Sequence, residues 1–228
     1  MEKQECLEAT VCREIGARTG GEILIGVVGP VRTGKSTLIK QFMEQLVLPA
    51  IGPADAKLRA RDELPQSAAG RTIMTTEPKF IPEQAVPLQL EGGGECRIRL
   101  IDCVGYMVEG AMGHEEDEKP RMVKSPWFEE EIPFDLAAET GTRKVIRDHS
   151  TIGIVVTTDG SVSDIPREGY ARTEKRIVEE LDALGKPYII LLNSTHPDAP
   201  ETKQLAEGMA RDYDHTVLPV SCVDLDAE

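Results

Sequence analysis

The 228-residue chain has no C-x-x-C pair, no internal repeat and no cluster of lysines and arginines. Nor does it contain a run approaching the ~20 apolar residues that span a bilayer. Its five cysteines (Cys6, Cys12, Cys96, Cys103 and Cys222) are odd in number and scattered. That argues against a disulfide framework or a zinc site and for reduced thiols in a cytosol. Basic residues are outnumbered, 26 against 40 acidic, for a formal net charge of −14. Such a surface repels nucleic-acid backbones and anionic membranes, so no nucleic-acid partner is expected. The acidic N-terminus lacks the apolar stretch of a signal peptide. A cytoplasmic protein with no transmembrane segment is the expectation, and its length suits one large domain or one domain with an appendage.

Against these absences stands one strong positive. Gly29-Pro-Val-Arg32-Thr33-Gly34-Lys35-Ser36-Thr37 follows the apolar run Ile23 to Val28. It fits the phosphate-loop template G-x-x-x-x-G-K-[ST]. A loop leaving a buried strand must curl so that its backbone N–H groups converge on phosphate oxygens, and Gly29 and Gly34 supply the torsions at its ends. Lys35 then reaches the β and γ phosphates and Ser36 offers its hydroxyl to Mg²⁺. The helix that starts there points its positive end at the anion.

Periodicity supplies the frame. A short leading helix is expected within 1–20, and 21–228 form the nucleotide-binding domain. Ile23–Val28 reads as a strand covered on both faces. A helix follows over Ser36–Leu46, with Leu38, Phe42 and Leu46 in one stripe and Pro49 and Pro53 stopping it. Val86–Leu90 and Cys96–Ile101, around a glycine turn, read as a hairpin. The acid-rich stretch 103–133 has little periodicity. Beyond it come a helix Phe134–His149, strand Ile152–Thr158, helix Arg167–Leu184, strand Tyr188–Asn193, helix Thr202–Arg211 and strand Val217–Val220. This alternation predicts an α/β fold, a three-layer α/β/α sandwich of the P-loop NTPase type: a mostly parallel sheet with one antiparallel hairpin strand.

Further residues complete a site. Asp102 ends the hairpin strand and opens Asp102-Cys-Val-Gly105, which places a carboxylate near a Mg²⁺ ion and a glycine N–H near a γ-phosphate. Thr75 and Thr76, or less readily Thr72, can give a hydroxyl to Mg²⁺ and sense the γ-phosphate. Asn193 stands where guanine-specific nucleotidases carry N-K-x-D. Ser194 replaces the lysine and His196 the acid, so guanine preference loses its basis. Asn193 itself is either a base contact or a strand-end cap, and Asp159 a rim acid or a turn residue. Arg32, Arg143, Lys144 and Arg147 are candidates for stabilising charge on the leaving phosphate, or a solvated basic face. His149 reads as packed or capping. No glutamine marks the hydrolytic water.

Gly29–Thr37, Thr75-Thr76, Asp102–Gly105 and the altered Asn193 motif together resemble the translation-factor-related class of P-loop nucleotidases. Within it, Asp62-Glu-Leu-Pro-Gln-Ser-Ala-Ala-Gly70, Thr72-Ile-Met-Thr-Thr-Glu-Pro-Lys-Phe80, Asp102-Cys-Val-Gly-Tyr106 and Gly141-Thr-Arg-Lys-Val-Ile146 through Gly153 resemble the stage IV sporulation protein A family of endospore-forming bacteria. The resemblance implies an ATPase using ATP and Mg²⁺. Lys35 and Ser36 would bind phosphate and metal, Thr75 and Thr76 would sense the γ-phosphate, and Asp102 would hold the metal. It implies self-association into a polymer, the basement layer of the spore coat, in the mother cell at the forespore outer surface. It also implies a small amphipathic membrane-bound partner, engaged by a C-terminal region of longer family members, of which this chain would be the nucleotidase part. The alternatives are a GTPase of the ribosome- or tRNA-associated kind, a nucleotide-binding scaffold without turnover and a small-molecule phosphotransferase.

Overall fold

A computed structural model of the chain describes residues 21–65, 78–89, 95–108, 111, 115–116, 119–125 and 127–226. The expected leading helix and the loop carrying Thr72, Thr75 and Thr76 lie outside the described residues. The central sheet has six strands: β1 (Glu22–Val28), β2 (Lys79–Gln89), β3 (Glu95–Asp102), β4 (Ile152–Thr158), β5 (Tyr188–Asn193) and β6 (Val217–Val220). Their spatial order is β6-β5-β4-β1-β3-β2. All neighbours are parallel except β2 and β3. The expected mixed sheet with one antiparallel hairpin is therefore the observed one.

Helices cover both faces. On one side lie α1 (Lys35–Phe42) and α2 (Ala54–Asp62); on the other lie α3 (Phe134–Lys144), α4 (Arg167–Leu184) and α5 (Pro200–Tyr213). The first layer packs Leu38, Ile39 and Met43 against Val27, Leu100 and Val156. The second packs Ile177, Leu181 and Met209 against Val28, Val155 and Ile190. Two-sided burial of β1, β4 and β5 is why those strands read as continuous apolar runs.

Two local features differ from the expected pattern. The helix after the phosphate loop does not end near Leu46; α1 passes into a π-helical turn, Met43–Val47, and a short helix, Leu48–Ala50, that takes Pro49 into its first turn. Its fully buried stripe is Ile39, Met43 and Val47, whereas Leu46 is exposed. Leu38 is buried as expected and Phe42 packs at the edge of the core, but the π turn shifts the face by one residue, so Val47 and not Leu46 turns inward. The hairpin strand β2 also starts earlier than expected, at Lys79, with a register irregularity between Ile81 and Val86. Pro82 and Pro87 interrupt its alternation. Proline is tolerated there because β2 is the last strand on its side of the sheet.

The acid-rich stretch is partly built into the body. Met122–Val123 pairs antiparallel with Ile132–Pro133. Val108 and Ala111 pack with Val31, Ile165 and Tyr170 beside the phosphate loop. The Trp127 ring lies close against Gly141 of α3.

Candidate functional site

The segments that follow β1, β3, β4 and β5 meet at one end of the sheet, and the site is built from them. Gly29 (φ 143°) and Gly34 (φ 99°) hold torsions open to glycine, and Arg32 between them is also left-handed at φ 63°. A Cβ on Gly29 would fall 2.2 Å from the Val156 carbonyl oxygen, so β4 shapes the loop directly. Gly34 precedes α1 without a side-chain cap, which leaves first-turn N–H groups facing the loop. Thr37 lies in that first turn. The Thr33 hydroxyl donates to the Pro30 carbonyl at 3.0 Å.

Lys35 is buried, and its Nζ donates to the Pro30 carbonyl at 2.6 Å. Ser36 Oγ donates to Asp102 Oδ2 at 3.2 Å. Burial pushes the Lys35 ammonium down to about 8, opposed by the nearby Asp102 carboxylate. Burial likewise raises Asp102, opposed by Lys35 and by the Ser36 hydroxyl. Both groups are driven toward neutrality by loss of water, and their mutual attraction offsets this only in part. Asp102 Oδ1 is buried with no hydrogen-bond partner. A buried carboxylate with one oxygen on a serine hydroxyl and the other unpartnered fits a hard divalent cation, whose ligands are oxygens.

The segment after Asp102 is joined to the loop by backbone. Tyr106 N–H donates to the Gly29 carbonyl (3.1 Å), and the Tyr106 carbonyl accepts from Val31 N–H (2.9 Å). Gly105 (φ 97°) lies so close that a Cβ there would be 2.5 Å from Lys35 Nζ and 2.6 Å from the Gly29 oxygen. Gly29, Gly34, Lys35, Ser36, Asp102 and Gly105 thus come together.

Asn193, buried at the end of β5, joins three segments. Its Nδ2 donates to the Thr33 carbonyl (2.9 Å) and its Oδ1 accepts from Cys222 N–H (3.0 Å). Its amide is therefore committed to bracing the loop. Asn193→Ala would leave both backbone groups without this partner, so we expect a loss of about 2–4 kcal/mol of stability, read by denaturant unfolding. Retention within about 0.5 kcal/mol would show the brace to be dispensable. Nothing in the spacing of the sequence pointed to Cys222, which takes part through its backbone alone.

The side chains of the other candidates, including that of Arg32 within the loop, are engaged by partners outside this group. Arg32 pairs with Asp164 (3.3 Å), Arg143 with Glu180 (3.2 Å) and Arg147 with Asp148 (2.7 Å). Asp159 caps a turn by accepting from the Ser161 N–H and hydroxyl. His149 packs its ring edge-on to Phe80.

Residues 7–228 match the family model described as Stage IV sporulation protein A, ATPase domain. The chain belongs to the stage IV sporulation protein A family. It is 55% identical over 215 residues to stage IV sporulation protein A of Bacillus anthracis, covering 94% of this chain and 44% of that protein. It is 50% identical over 218 residues to the Clostridioides difficile protein of that name, covering 96% and 44% respectively. The chain thus spans less than half the length of these relatives. Among solved structures, a point variant of Aquifex aeolicus Era bound to GDP.AlF4− superposes with a TM-score of 0.52 at 15% identity, over 89% of this chain and 52% of that one. At that identity the likeness concerns the fold, which is that of a P-loop nucleotidase.

Proposed function

We propose that the chain is a Mg²⁺-dependent ATPase module whose turnover drives a structural change that lets the full-length protein assemble into the basement layer of the spore coat. The observation that carries the hydrolase reading is the grouping of buried Lys35, buried Asp102 and half-buried Ser36 at the head of α1. Lys35 supplies fixed positive charge where phosphoryl oxygens gain negative charge, in a site that excludes water. The loop amides and the first turn of α1 bind and orient the phosphates. Ser36 and Asp102 would hold the metal, which would supply neutralisation of phosphate charge. Thr75 and Thr76 are the proposed γ-phosphate sensors.

Preference for ATP rests on what surrounds Asn193. In a guanine site a carboxylate accepts from the base amino group; here His196 holds that position. The nearby Asp159 is already committed to its own turn. Self-association, a small amphipathic membrane-bound partner and a location in the mother cell at the forespore surface are proposed for the whole protein. They fit the family membership. No described helix is long and apolar enough to cross a membrane. The test is phosphate release from ATP and GTP by the purified chain and by Thr75→Ala/Thr76→Ala. ATP should be favoured by at least about tenfold in kcat/KM, and the double variant should lose most turnover. Equal turnover of GTP would overturn the base preference. Nucleotide binding without turnover would favour a scaffold.

A further inference from the structure

Tyr106 follows the Asp102–Gly105 segment and is completely buried, yet its hydroxyl does not face the phosphate loop. It donates to Glu180 Oε2 on α4. Glu180 is held in turn by Arg143 of α3 (3.2 Å) and by Arg176 one turn earlier on α4 (3.1 Å). Arg176 lies over the Tyr106 ring, 5.3 Å from its centroid, and makes a two-pronged bond to Glu139 of α3. One residue further along, the Met107 carbonyl accepts from Thr173 Oγ1 (3.2 Å). Thr173 and Glu180 are seven residues apart on one face of α4, so the helix grips two consecutive residues of the segment. The other side of the same residue is the backbone pairing with Gly29 and Val31.

We infer that Tyr106 is a positioning residue of the nucleotide site: its phenol, anchored on Glu180, fixes the segment that carries Asp102 and Gly105 against the phosphate loop. The role rests on the nucleotidase reading, but the anchoring itself does not. A tyrosine with a free hydroxyl would let the segment slide along α4. One pinned at the hydroxyl and paired through its own N–H and carbonyl with Gly29 and Val31 at the start of the loop has a single place. The relation also runs outward, because any displacement of Gly105 must disturb the ion-pair cluster joining α3 to α4.

Hydrogen exchange on the nucleotide-free chain tests the anchor, with Tyr106→Phe as an isosteric change that removes only the hydroxyl. The Val31 and Tyr106 amides, which make the two backbone bonds, should exchange faster by between about 10- and 100-fold, the worth of a hydrogen bond to a charged group. Glu180→Gln retains an oxygen that can accept from the phenol and should raise exchange less than about threefold; Glu180→Ala should match Tyr106→Phe. In steady-state assays with Mg·ATP, Tyr106→Phe should lower kcat about tenfold with KM changed less than about twofold, because a displaced reacting group affects the chemical step more than binding. It should add nothing further in the Glu180→Ala background. Unchanged exchange at the two amides, or fully additive effects of the two substitutions, would overturn the proposal. A wild-type chain that neither binds nor hydrolyses Mg·ATP would instead sink the nucleotidase reading, and the exchange comparison would decide the anchor regardless.

Discussion

Replacing Lys35 with alanine should reduce phosphate release from Mg·ATP by at least about a thousandfold and leave the chain folded. The size follows from the role: a cation fixed at transferring phosphoryl oxygens, in a site shielded from water, is worth about 10²–10⁵ in rate. Retention of the fold follows from the energetics of the nucleotide-free site. Lys35 is expensive to bury, as its lowered ammonium shows. Its removal takes away that cost, and the Pro30 carbonyl keeps the Thr33 hydroxyl as a donor. Asp102 would lose its counter-charge and rise further, which lessens the cost of leaving it without that partner. These effects oppose one another, so the melting temperature should move by no more than about 4 °C, about 1 kcal/mol for a domain of this size. Lys35→Arg should not restore turnover, since a planar fork cannot occupy the space of an ammonium packed against Gly105. Phosphate release and thermal melting on the same preparations check both halves. Turnover within tenfold of wild type would mean that the loop around Lys35 does not act on a phosphate.

Much of this site was written in short spacings. The loop glycines, Lys35, Ser36, Asp102 and Gly105 carry roles set by backbone geometry, and such roles leave fixed intervals in a sequence. The strands β4, β5 and β6 and the helix α4 were equally readable. Their apolar runs are bounded by punctuation such as Gly185, which caps α4 in the left-handed conformation. Where the helix after the loop widens into a π turn, periodicity failed by one residue, for nothing in Met43–Val47 announces a π turn.

Contacts made by side chains across the fold were the least legible. A tyrosine after a glycine has no pattern that would foretell Glu180 as its partner. Glu174 did leave a trace. It shares the buried face of α4 with Tyr170, Ile177, Val178 and Leu181, and an acid on an apolar face needs partners. The structure supplies them: Arg167 in a two-pronged bond at 2.7 Å, Tyr213 at 2.7 Å and Thr157 at the end of β4. This network ties α4 and α5 to the strand that shapes the phosphate loop through Val156.

Substituting alanine for Gly105 should lower Mg·ATP turnover by at least about a hundredfold, more than its cost to the fold would suggest. The residue holds φ 97°, so any side chain there is strained by about 1–3 kcal/mol. Its Cβ would also fall 2.6 Å from the Gly29 carbonyl oxygen, a backbone atom that cannot swing aside. The same Cβ would fall 2.5 Å from Lys35 Nζ. Lys35 can yield, being the end of a flexible chain, but only by leaving the place from which it serves the phosphates. The segment can yield, but only by breaking the Tyr106 bond to Gly29. Either relaxation separates groups that must converge on one phosphate, and misplacement by about 1 Å is enough to cost about 10²-fold in rate. Stability, by contrast, should fall only by the strain and one backbone hydrogen bond, about 2–4 kcal/mol together. Single-turnover hydrolysis and denaturant unfolding of Gly105→Ala separate the two effects. Turnover within about threefold of wild type, in a variant that melts as expected, would place the Asp102–Gly105 segment away from the reacting phosphate and leave Lys35 without the neighbour that this geometry gives it.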